Sequence, residues 1–99
     1  MKYTWLLVAA LASMTNSLQA ADIEAGKQKA MTCAACHGAD GISAIPTYPN
    51  LKGQKAQYTV LQLKAFKSGE RKNAIMKPMA SMLSEEDMKN VAAYYESLK

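Results

Sequence analysis

The run Cys33-Ala34-Ala35-Cys36-His37 holds both cysteines and the only histidine of a 99-residue chain. A chain this short buries only roughly 60% of its unfolded surface, so domains of this size often need a staple: disulfides, a metal or a partner. A bridge between cysteines three apart closes almost no loop and would stabilise little. Three chemistries compete for the motif: a thiol–disulfide redox pair, part of a zinc site, or covalent attachment of haem.

The first twenty residues bear on the compartment. Lys2 gives a positive start, Trp5 to Ala12 is unbroken apolar sequence, and polar residues then lead to the small pair Ala20-Ala21. That order is the pattern of a secretory signal peptide. The apolar run is far short of the ~20 residues of a membrane span, and it lacks the polar breaks of an amphipathic helix. The expectation is a leader over residues 1–20, a single domain over 21–99, and no stable membrane insertion after cleavage. Export alone leaves the redox reading open, because a CxxC pair can be oxidised outside the cytosol.

Along the rest of the chain the helical signals dominate. Asp22 is a good N-cap, and Ile23, Gly26, Ala30 and Met31 fall on one face, which predicts a first helix ending near Cys33. Gly26 inside that helix costs stability relative to alanine and suggests close approach by another backbone. Residues 38–53, GADGISAIPTYPNLKG, read as a long irregular loop. A helix follows, with Tyr58, Leu61 and Ala65 on one face, stopping near Lys67-Ser68-Gly69. Ser84-Glu85-Glu86-Asp87 resembles a capping box, and Met88, Val91, Ala92, Tyr95 and Leu98 then recur at helical spacing. Between Arg71 and Ser84, Pro78 argues against a continuous helix, so at least one of Met76, Met79 and Met82 is expected on a loop. No convincing strand remains, and the expected class is all-α with three or four short helices.

These features choose among the three chemistries. Structural zinc wants four nitrogen or sulfur ligands, whereas Cys33, Cys36 and His37 supply at most three. A thioredoxin-like pair sits at a helix N-terminus after a strand; here the motif follows a helical segment and no sheet is in prospect. C-x-x-C-H is the c-type haem attachment pattern. Each thiol adds across one vinyl group, and the next residue, His37, then lies on one face of the ring. A methionine-bearing segment downstream offers a second ligand.

The stretches CAACHGADGISAIPTYPNLKGQ (33–54), YTVLQLKAFKSGER (58–71), MKPMASMLSEEDM (76–88) and VAAYY (91–95) resemble the class I monohaem bacterial cytochromes c. The likeness is to the small soluble periplasmic type and to either half of the dihaem type. It implies a cytochrome c fold wrapped around one covalently bound haem c. It further implies thioether bonds from Cys33 and Cys36, His37 as proximal iron ligand, and the Pro49 carbonyl accepting a hydrogen bond from His37 Nδ1–H. Gly26 and Tyr94 match the crossing of the first and last helices. The distal ligand falls at Met76, with Met79 as its rival, and Met82 is left to packing.

A His/Met iron has both axial positions filled, which implies one-electron transfer rather than enzyme catalysis. The pocket is expected to be lined by Tyr48, Leu51, Leu61, Leu63, Phe66 and Val91. The implied role is a soluble periplasmic carrier working between redox protein partners. Alternatives are an electron-transfer subunit of a larger redox enzyme, a ligand-sensing or peroxidase-like haem, and the CxxC thiol–disulfide protein. Charge bears on the partner: residues 21–99 keep eleven of the twelve basic residues and all eight acidic ones. Lys52, Lys55, Lys64, Lys67, Arg71, Lys72 and Lys77 are clustered, and read as a docking ring for an acidic partner. Nucleic acid is excluded by the small charge excess and the lack of any recognition motif.

Overall fold

The computed structural model describes residues 20–99; apart from Ala20, the expected leader lies outside the described residues. Among those described there are five helices and no strand: α1 (Ile23–Lys29), α2 (Met31–His37), α3 (Ala56–Ser68), α4 (Met76–Ser81) and α5 (Glu85–Ser97). The all-α class is as expected. The number of helices exceeds the expected three or four for two local reasons.

First, the opening helix runs past Cys33 to His37, with a turn at Ala30 dividing it. Asp22 caps it, its side chain accepting from the Ala25 N–H. The Ala30 carbonyl accepts from the amides of both Cys33 and Ala34, a tightened turn that ends α1 and leads straight into α2. The stop comes at Gly38, whose φ of 90° is open to glycine. A Cβ there would lie 1.9 Å from the Ile42 carbonyl oxygen.

Second, residues 76–81 are helical despite Pro78. Pro78 is the third residue of α4, inside the first turn, where its missing N–H removes no helical hydrogen bond. Met76 and Met79 therefore both lie on the helix, and Met82 is its C-cap.

The other boundaries follow the sequence signals. Gly69 ends α3 in the left-handed region, and the Ser84–Asp87 capping box opens α5 with both reciprocal hydrogen bonds at 3.0 Å. The hydrogen bond from the Ser84 backbone N–H holds the Asp87 carboxyl below its usual value. A depressed carboxyl pKa contributes stability above the unfolded value and loses it as pH falls through the folded one. Asp87→Ala should therefore cost about 1 kcal/mol at pH 7, a capping-sized loss. The gap to wild type should close as the pH drops below the carboxylate range, as denaturant midpoints taken at several pH values would show.

α1 crosses α5, and α3 packs against both α4 and α5. At the first crossing the backbones nearly touch: a Cβ on Gly26 would lie 1.9 Å from the Asn90 carbonyl oxygen. Asn90 is itself buried and is satisfied by the Asp22 N–H, which donates to its Oδ1 at 2.8 Å. Glu96 of α5 accepts from the Ala56 N–H and so caps the start of α3. The core forms two clusters. Leu63, Phe66, Ala80, Leu83 and Met88 pack between α3, α4 and α5. Ala30, Val91 and Tyr95 pack between the first helices and α5, with Cys33, Leu51, Tyr94 and Leu98 against them.

Candidate haem site

Cys33 and Cys36 lie one turn apart on α2, so their side chains leave the same side of the helix. Both are unbridged and half-buried. Burial pushes the Cys33 thiol up; hydrogen bonds with Thr32 and Tyr95 oppose this in part. The same setting raises the buried Tyr95 hydroxyl, again chiefly through desolvation. The CxxC run thus sits within a helix, where the sequence suggested passage from helix to loop.

His37 closes α2 and is 7% exposed. Its Nδ1 donates to the Pro49 carbonyl at 2.8 Å, twelve residues on. That bond places the proton on Nδ1 and leaves Nε2 with its lone pair. The intervening loop is strapped so that Pro49 reaches back. The Gly41 carbonyl accepts from Leu51 and Lys52, Ser43 Oγ donates to the Cys36 carbonyl, and Asn50 Oδ1 accepts from the Ser43 N–H. The loop's far end is tied to α5, where Gly53 N–H donates to the Tyr95 carbonyl. Tyr48 stands beside the imidazole, its ring centre 6.3 Å away.

On α4, Met76 is half-buried and packs against the Leu63–Phe66–Ala80 cluster. Met79 is half-buried too, whereas Met82 is 63% exposed. Of the expected lining, Leu63, Phe66 and Val91 are buried, and Leu51 and Tyr48 are half-buried. Leu61 is 58% exposed, because helical spacing turns it away from the buried face of Thr59, Leu63 and Phe66. The tight helix contact also shifts: Gly26 meets Asn90 and Val91, one turn before the expected Tyr94, which lies in the second cluster.

Three of the seven clustered cations are engaged within the protein. Lys64 pairs with Glu85 at 2.6 Å, and Lys67 Nζ donates to the Leu83 carbonyl at 2.7 Å. Arg71 bonds Gln62 and stacks 4.5 Å over Phe66. Lys77 lies over the Gly69 cap of α3, where the helix dipole favours a cation. Sequence reading missed Asn90, Glu96 and the roles of Lys67 and Asn73; each acts through a contact between distant or irregular segments that no periodicity marks.

The donor set fits a covalently held haem. Two unbridged thiols share one helix face, the adjacent imidazole donates through Nδ1 and keeps Nε2 for a metal, and α4 carries two thioethers. Among the described residues no helix is long and apolar enough to cross a membrane. The comparisons agree with the geometry. The sequence model of the family "Cytochrome c" matches residues 23–99. Cytochrome c-554(548) of Halomonas halodenitrificans is 51% identical over 81 residues, covering 79% of this chain and 98% of that protein. The thiosulfate dehydrogenase electron acceptor of Stutzerimonas stutzeri is 49% identical over 70 residues, covering 70% of this chain and 32% of that protein. The crystal structure of reduced cytochrome c4 from Pseudomonas stutzeri superposes with a TM-score of 0.76 at 40% identity, covering 81% of this chain and 47% of that one. Built on a CxxCH helix, a carbonyl-braced histidine and a methionine-bearing helix, the chain belongs to the cytochrome c family of haem c electron carriers.

Proposed function

We propose that this chain is an exported, periplasmic one-electron carrier in which Cys33 and Cys36 hold the haem, His37 is the proximal ligand and Met76 the distal one. When bound, haem c supplies a one-electron couple between ferric and ferrous iron. The observation that carries the reading is the 2.8 Å hydrogen bond from His37 Nδ1 to the Pro49 carbonyl. Such a bond fixes the ring and raises the basicity of the coordinating nitrogen. Cys33 and Cys36 fix the group laterally, and a Met76 thioether raises the potential. With both axial positions filled by protein, no site stays open for a substrate, which favours a carrier over an enzyme. The leader-like residues 1–20 support export.

The partners are redox proteins. The relative from Stutzerimonas stutzeri is an electron acceptor of a thiosulfate dehydrogenase, which supports a dehydrogenase as donor and keeps in view a bound electron-transfer subunit as the second reading. Of the clustered cations, Lys52, Lys55 and Lys72 are those left to face an acidic partner.

An absorption spectrum of the exported protein, oxidised and then reduced, tests the proposal. Covalent c-type bands with a far-red sulfur-to-iron band are expected. Met76→Leu should abolish the far-red band, and Met79→Leu should keep it. The reverse pattern would move the distal ligand to Met79; covalent bands with no sulfur band in the wild type would revive the ligand-sensing reading.

A further inference from the structure

The six-residue helix α4 is far too short to hold itself in water, yet it carries Met76 as its first residue. Its early amide groups need partners outside the helix. Three of them converge on one exposed residue. Asn73 Oδ1 accepts from the Ile75 and Met76 N–H groups, each at 2.9 Å, and the Asn73 carbonyl accepts from the Lys77 N–H at 3.1 Å. The next residue is Pro78, which has no N–H to satisfy. Asn73 therefore accounts for every unpaired amide at the start of α4.

We propose that Asn73 is a positioning residue for the distal ligand. It fixes the backbone of Met76, so the thioether is presented from a rigid point rather than from a fraying helix end. The inference rests on the Met76 assignment made above. It adds that the strength of that ligation is set locally by Asn73 as well as by the core beneath. Because Asn73 is exposed and belongs to neither core cluster, its replacement loosens the start of α4 while leaving the rest of the packing in place.

Imidazole titration of the ferric holoprotein reads this directly, since imidazole binds only when the methionine has let go. Asn73→Ala removes the side-chain acceptor and keeps the backbone carbonyl. Losing two hydrogen bonds at an exposed turn should raise the apparent imidazole affinity roughly tenfold. Asn73→Asp keeps the acceptor and should stay within about twofold of wild type, inside the spread of a single weak interaction. The far-UV circular dichroism of all three should be the same at 25 °C. An Asn73→Ala protein that binds imidazole like wild type overturns the inference, provided that Met76→Leu has lost its sulfur band. A Met76→Leu protein that keeps the band overturns the ligand assignment itself. Asn73→Ser, which restores a smaller acceptor, should fall between wild type and alanine; equality of serine and alanine would also count against the inference.

Discussion

Replacing Gly26 by alanine is expected to destabilise the holoprotein by about 3 kcal/mol or more, at the upper end of overpacking penalties. Two effects oppose each other. Alanine is the better helix former by about 1 kcal/mol, so at an exposed site the change would stabilise. At the crossing of α1 and α5 the new Cβ would meet the Asn90 carbonyl oxygen at 1.9 Å and its carbonyl carbon at 2.4 Å. Those atoms are backbone, so no rotamer change relieves the clash and the helices must part. Parting them opens the Ala30–Val91–Tyr95 cluster and stretches the bond from Asp22 N–H to Asn90. The steric cost therefore outweighs the propensity gain. Guanidinium unfolding followed by circular dichroism would show a lowered midpoint. A variant within about 1 kcal/mol of wild type, or more stable, would mean that the two helices can part at this crossing at little cost.

That glycine was legible in the sequence because an unfavourable residue in a helix needs a reason. Its partner residue was not, since the register of one helix against another depends on both surfaces at once. The same division holds across the molecule. Local signals read well: Asp22, Gly69 and the Ser84–Asp87 box mark their helix ends because each acts on backbone within a few residues. Pro78 did mark the lack of one continuous helix over 71–84, with Met82 in the turn after α4; the short helix itself was not legible, because a proline is tolerated in a first turn and the start of α4 is set by Asn73, a residue outside any periodic pattern. The exposure of Leu61 was not legible, because an apolar residue beside Leu63 and Phe66 has no assigned side until the helix phase is fixed. The cluster of cations in sequence could not show that Glu85 and the Leu83 carbonyl engage Lys64 and Lys67, because those partners come from outside α3. The CxxCH run needed no such context, since its chemistry lies within five consecutive residues.

The double variant Cys33→Ala, Cys36→Ala should lose its cooperative unfolding transition altogether. The protein's own core is thin. Among the described residues nine apolar ones are buried, Ala30, Ala80 and Ala92 included, and all but Ala92 divide into two clusters. α2 and α4 do not pack on each other: each reaches the other through α5, Cys33 against Val91 and Tyr95 and Ala80 against Met88. The wall bearing Cys33, Cys36 and His37 and the wall bearing Met76 are therefore joined through one shared helix. Under the proposed assignment, thioether bonds and iron ligation would tie the two walls together directly. A domain has only about 5–15 kcal/mol of net stability to lose, and losing that direct tie removes part of the gain that offsets the entropy of ordering the walls. Removing Cys33 also unpacks part of the second cluster, so the single variants supply the control. Cys33→Ala or Cys36→Ala alone keeps one thioether together with His37 and Met76, and should still unfold cooperatively, at a reduced midpoint. Scanning calorimetry of the three proteins separates the cases. A heat-absorption peak in the double variant close to that of the holoprotein would show that the helices close their own core, and that the group they hold is cargo rather than a structural part of the domain.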